Sequence, residues 1–114
     1  MWDITTDTVI GALNGLSAQA DLRADNVANA ETPGFRASHV DFASQLREAV
    51  ARGDAASVGF EATPTPSVVD ARGNSVDLET ELIGAMRDGL LRDAMVAAFN
   101  FKAGQARMAI GGHR

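Results

Sequence analysis

Asp77, Glu79 and Glu81 alternate along one stretch of the chain, and His39 stands two residues before Asp41. These are the residue types that hold metals and move protons. Neither grouping completes a site. The three carboxylates open a helix-forming stretch, where the macrodipole favours negative charge, and that accounts for them. His39 and Asp41 lack a third partner that would make an acid–base set. The chain has no cysteine, which excludes disulfides and thiolate metal sites, and its only other histidine is His113. No catalytic residue, cofactor or metal is therefore expected. The side chains with most to offer are Asn26 and Asn29, each carrying both donors and acceptors. Three residues apart near a helix end, they can bond free carbonyls of their own chain or of a neighbouring subunit.

The elements that position them read in three parts. A first helix is expected over 6–31, with Val9, Leu13, Leu16, Ala20, Val27 and Ala30 recurring at alternating intervals of four and three. Arg23 falls on this seam where an apolar residue is due. Asp3 and Asp7 suit the helix start. Thr32 precedes a proline and so disfavours helical angles, and Pro33-Gly34 suits the centre of a type II turn. The middle part, 32–73, begins extended or irregular at Phe35–Val40. Asp41 can cap a short helix from Phe42 to Arg52, with Phe42, Leu46 and Val50 on one face and Gly53 as its stop. From Asp54 onward the residues are small, polar or proline-containing and read as a loop with no packing signal, apart from a short strand conceivable at Ser67–Asp70.

The third part is a helix over 76–111, with Asn74, Ser75 or Asp77 as the cap. Its seam runs Leu78, Leu82, Ala85, Gly89, Arg92, Val96, Phe99, Ala103, Ala106, Ile110. A second stripe, Ile83, Met86, Leu90, Ala94, Ala97, Phe101, Met108, lies beside it. Lys102, Arg107, His113 and Arg114 suit the helix C-terminus, and Gly111-Gly112 its end. The expected fold is mainly all-α: an antiparallel coiled coil of the two terminal helices, a short middle helix and an irregular central loop. The last helix, at about 50 Å, overhangs the first, at about 35 Å. Two adjacent stripes make a broader apolar face than one partner helix covers.

Composition bounds the function. The 114 residues suit one small domain, 1–114. Hydrophobic residues make up 46% but aromatics only 5%, so the core is thin. Without disulfides or metal, oligomerisation is the remaining supplement. A net charge of −5 argues against a nucleic-acid partner. No apolar run spans a membrane, and Met1–Asp7 lacks the basic region and apolar core of a Sec-type signal.

The run Asn26-Val27-Ala28-Asn29-Ala30-Glu31-Thr32-Pro33-Gly34-Phe35 resembles the N-terminal signature of the flagellar axial family, A-N-I-A-N-x-x-T-P-G-[YF], which includes rod, hook and hook-associated proteins. Val40-Asp41-Phe42 and Gly73-Asn74-Ser75-Val76-Asp77-Leu78-Glu79 are similar to segments of its proximal rod members. Residues 9–47 and 73–111 carry the resemblance. Arg87-Asp88 and Arg92 replace a common Glu-Asn pair and a tyrosine, with Asp88 and Arg92 spaced to pair on the helix. Asp25 stands where a small apolar residue is usual, and the central segment is short.

The resemblance implies a structural subunit rather than an enzyme, exported through the flagellar type III gate. It would polymerise helically around the export channel in the periplasm as part of the proximal rod, transmitting torque. Implied partners are further copies, the rod proteins FlgC and FlgF, the adapter FliE and the export-gate ring, with no small-molecule substrate. Asn26, Ala28, Asn29, Thr32, Pro33, Gly34, Phe35, Asp41, Phe42, Asn74, Val76, Asp77 and Glu79 would carry the motifs. Leu82, Met86, Leu90, Val96, Phe99, Phe101 and Ile110 would pack subunits. The alternatives are another proximal rod protein of the same family, a helical export adapter or chaperone, or a small helical enzyme.

Overall fold

The computed structural model describes residues 4–111. The readings made for Asp3, Gly112, His113 and Arg114 lie outside them. The chain runs α1 (Ile4–Ala28), β1 (Ser38–Val40), α2 (Phe42–Arg52), a 3-10 turn at Ala55–Ser57, β2 (Ala62–Pro64) and α3 (Leu78–Gly111). α1 and α3 lie antiparallel. Asn26 and Arg23 of α1 meet Glu81 at the start of α3, Gln19 meets Asp88, and Thr6 and Val9 meet the Ala98–Lys102 region. The body measures 68 × 27 × 15 Å, with a radius of gyration of 17.8 Å. A compact chain of this length would give about 13 Å. The expected helical hairpin is therefore present, and α3 runs on past the start of α1.

α2 has the expected bounds. Gly53 closes it at φ +81°, a left-handed conformation that glycine adopts without a Cβ penalty. Asp41 occupies its N-cap position without making a side-chain capping bond. α1 ends at Ala28, short of the expected residue 31, and α3 starts at Leu78 rather than 76.

The central segment departs from the loop expectation. It packs on α1 beside α3, with the β1 region and the start of α3 lining one cleft. Ala55 is buried, and β2 pairs antiparallel with β1, with Ser38 opposite Pro64, His39 opposite Thr63 and Val40 opposite Ala62. Residues 67–70 are not a strand. α1 admits this layer because two glycines lie on its inner face. A Cβ on Gly11 would overlap the Ala55 carbonyl oxygen, and one on Gly15 would sit 2.9 Å from Phe42 Cβ. Phe42 is thus an intramolecular packing residue, seated with Phe60 over Gly15. The apolar core is small: Ala12, Leu16, Ala37, Val40, Ala49 and Ala55.

The phase of the α3 seam also differs. The residues turned toward α1 include Glu81, Gly84, Asp88 and Lys102, each one position before a residue of the expected seam, together with Phe99, which is on it. Leu78, Leu82, Val96 and Ile110 of the expected seam are exposed. The shift follows from the bonds available. Glu81 and Asp88 find cationic and amide donors on α1, and Gly84 admits a guanidinium that no larger residue would.

Candidate functional site

The motif residues gather where α1 ends and α3 begins. Asn26 is 1% exposed. Its Nδ2 donates to the Ser38 carbonyl at 2.9 Å and to Glu81 Oε2 at 2.8 Å, and its Oδ1 accepts from the Ser38 N–H at 3.2 Å. One side chain thereby ties α1 to β1 and to α3. Asn29 acts locally. Its Nδ2 donates to the Asp25 carbonyl at 2.9 Å, and its Oδ1 accepts from the Thr32 hydroxyl at 3.1 Å. Between bonding within the chain and bonding across subunits, both asparagines have intramolecular partners.

Asn74, 2% exposed, closes the end of α1 from the other side. Its Nδ2 donates to the carbonyls of Asn29 at 2.9 Å and Thr32 at 2.8 Å, while its Oδ1 accepts from the Val76 N–H at 2.7 Å. These two carbonyls belong to the turn after α1 and also accept the Thr32 and Phe35 N–H groups, so Asn74 ties that turn to the approach of α3. Further stitches run alongside. Gly34 N–H donates to the Arg72 carbonyl, Ser75 N–H to the Phe35 carbonyl, and Ala37 N–H to Ser75 Oγ at 2.7 Å. Gly34 and Gly73, both at φ +79°, let these two turns approach to 3.4 Å between Gly34 Cα and the position a Gly73 Cβ would take. The Asp70 carboxylate, which accepts from the Asn74 and Arg72 N–H groups, is held below the usual carboxylate range chiefly by the first of these. Asp77 caps α3. The Thr80 N–H and hydroxyl lower its pKa.

Beside the junction lies a polar cluster between the long helices. Arg23 Nη1 meets Glu81 Oε1 at 3.0 Å and its Nε meets Asp88 Oδ2 at 2.8 Å, with Gln19 Nε2 donating to the Asp88 carboxylate at 3.2 Å. Glu81 is buried, so it is a packing residue rather than one of three solvated N-terminal carboxylates. Asp88 turns to Arg23 and Gln19 instead of pairing with Arg92, since a guanidinium in the sheltered interface gives the stronger bond. Gln19, Arg23, Ser75, Glu81 and Asp88 are the contributors that pattern reading missed. The sequence did hold one signal, a cation on an apolar seam.

The apolar side chains make a different surface. Leu16, Ala20 and Val27 of α1 and Leu78, Leu82 and Gly89 of α3 line an open groove of about 900 Å³ between the long helices. The two expected seams thus face each other across a gap. Leu82 is 63% exposed and Leu90 73%. Met86, Val96, Phe101 and Ile110 are exposed too, and Phe99 is half-buried toward α1. Of the remaining motif residues, Ala28, Thr32, Pro33, Gly34, Asp41 and Glu79 lie at the surface, and Phe35 and Val76 are half-buried. His39 Nδ1 is 3.2 Å from Thr65 Oγ1. Among the described residues no group of three or more His, Cys, Asp or Glu could hold a metal, and no helix is long and apolar enough to cross a membrane.

Residues 7–36, which hold α1 and the turn after it, match the family of flagella basal body rod proteins. The chain is 41% identical over 56 residues to the flagellar basal body rod protein FlgB of Salmonella typhimurium, covering 49% of this chain and 41% of that one. It is 39% identical over 54 residues to FlgB of Yersinia enterocolitica, covering 47% and 39%. It is 48% identical over 48 residues to FlgB of Escherichia coli, covering 41% and 35%. The matched stretches thus span about two-fifths of the length of these relatives. The matched helix and turn, and the stretches shared with FlgB, make this chain similar to the flagellar basal body rod proteins over its N-terminal quarter and over rather less than half its length respectively.

Proposed function

We propose that this chain is a structural subunit of the proximal rod, polymerising helically with copies of itself and with other rod proteins around the export channel. The observation that carries the proposal is the open apolar groove. Burial of apolar surface drives association, and exposed Leu82, Met86, Leu90 and Phe101 leave such surface on a helix pair already fixed by its polar junction. Torque then passes along helices held at the junction by Asn26 and Asn74. FlgC, FlgF, the adapter FliE and the export-gate ring are the neighbours this reading proposes, with export by the flagellar type III route and assembly in the periplasm. The motif residues shape the junction, and the exposed side chains of α3 meet neighbouring subunits.

Complementation of a rod-deficient strain tests it. Leu82→Glu and Phe101→Glu should abolish motility and rod assembly while the purified chain keeps its helical circular dichroism. Normal motility with both charges in place would refute the groove and the exposed apolar face of α3 as assembly surfaces.

A further inference from the structure

We propose that the cluster of Arg23, Glu81, Asp88, Gln19 and Asn26 is a register lock that selects one of several near-equivalent alignments of the two long helices. The need for a lock follows from the packing. On α3 the apolar side chains repeat at heptad spacing with small residues between them, and several stay exposed in the observed register. Sliding α3 by seven residues would therefore change little in apolar burial. The polar contacts have no such repeat. Arg23 bridges two carboxylates one heptad apart, at 3.0 Å from Glu81 and 2.8 Å from Asp88. Its guanidinium lies over Gly84, where any Cβ would overlap it.

A slide one way would put Asp88, Leu91 and Met95 opposite Arg23, with a leucine where the guanidinium needs a glycine. The opposite slide would present the loop at Asn74, then Asp77 and Glu81. Either way one carboxylate of the bridge is lost, and Asn26 loses its bond to Glu81. A buried polar group that satisfies one alignment and is stranded in others specifies register.

The absence of native cysteine allows a direct reading by disulfide trapping. In the antiparallel pairing that sets Arg23 over Gly84, Val9 stands level with Ala98 and Gln105 lies about two turns further along, so Val9→Cys with Ala98→Cys reports the observed register. Val9→Cys with Leu91→Cys or with Gln105→Cys reports the two slides. With the cluster intact, the 9–98 pair should cross-link in preference to both others. In the triple variant Arg23→Met, Glu81→Met, Asp88→Met that preference should fall about tenfold or more while helical circular dichroism persists, since apolar side chains of similar volume often replace buried ion pairs without loss of stability. Unchanged cross-linking preference would overturn the proposal. So would loss of folding in the triple variant, which would make the cluster a stabilising element and not a selector. Exchange of charges, Arg23→Glu with Glu81→Arg and Asp88→Arg, should recover part of the lost preference, and failure to do so would also count against it.

Discussion

The two asparagines of the motif should differ sharply in what they contribute. Asn26→Ala removes three hydrogen bonds made by a side chain that is 1% exposed: two to the Ser38 backbone and one to the Glu81 carboxylate. A neutral bond contributes about 0.5–1.5 kcal/mol net and one to a charged group about 1.5–3 kcal/mol. Glu81 keeps Arg23 as a partner, so the lower half of the sum applies, about 3 kcal/mol. Asn29→Ala removes exposed bonds to Asp25 and Thr32, and should cost about 1 kcal/mol or less. With a urea slope of about 1–3 kcal/mol per M, the Asn26 variant should lose about 1–3 M in midpoint. Urea unfolding followed by far-ultraviolet circular dichroism measures both, and amide exchange at Ser38 should accelerate only in the Asn26 variant. Asn26→Asp should be worse than its near-identical volume suggests, because it sets a carboxylate where the amide now donates to Glu81 at 2.8 Å. Equal costs at the two positions, or a larger cost at Asn29, would refute the assignment of Asn26 as the junction's tie.

Gly11→Ala should lower Tm, because overlap with the Ala55 carbonyl, costing about 1–3 kcal/mol, outweighs the gain in helix propensity, whereas Gly89→Ala, with no atom within 4 Å, should raise it. Asp70 and Asp77 both have folded-state pKa values below 3.8, so their contribution to stability is complete above that pH and is lost as pH falls through the lowered values. Carboxyl-carbon NMR titration should place both below 3.8, and Asp70→Asn with Asp77→Asn should flatten the acid limb of the stability curve.

The helices were legible because their determinants are local. Gly53, Pro33-Gly34 and the Asp77 cap act within a turn of their own positions, and the structure keeps all three. The heptad pattern correctly paired α1 with α3 but misjudged which face of α3 meets α1. Apolar periodicity records that a stripe is buried somewhere, without saying whether the partner belongs to the same chain. Glu81 and Asp88 were hidden for the converse reason, since a carboxylate in an opening helical turn looks complete without a partner. The layer built by Ala55 and β2 left little trace, because its packing depends on the space over Gly11 and Gly15 rather than on large apolar side chains of its own. Asn74 was visible as a motif residue, but its bonds to the turn carbonyls of Asn29 and Thr32, 45 and 42 residues earlier, were not.

The division of labour between polar and apolar groups is the reverse of a self-sufficient helical hairpin. There, apolar side chains close the seam and polar ones face water. Here, the α1–α3 contact near the junction is made by Arg23, Asn26, Glu81 and Asp88, while leucines and methionines line the open groove and the outer face. Hydrogen bonds and ion pairs are directional and contribute little net stability, so they define a geometry without closing the apolar surface. Burial of that surface is non-directional and scales with area, so it drives association with any helix of matching shape. A chain built this way carries its geometry in its own polar contacts and leaves much of its apolar surface uncovered. The charge variants at Leu82 and Phe101 and the substitution Asn26→Ala therefore act on separable steps. The first should spare the fold and stop assembly, and the second should weaken the fold itself.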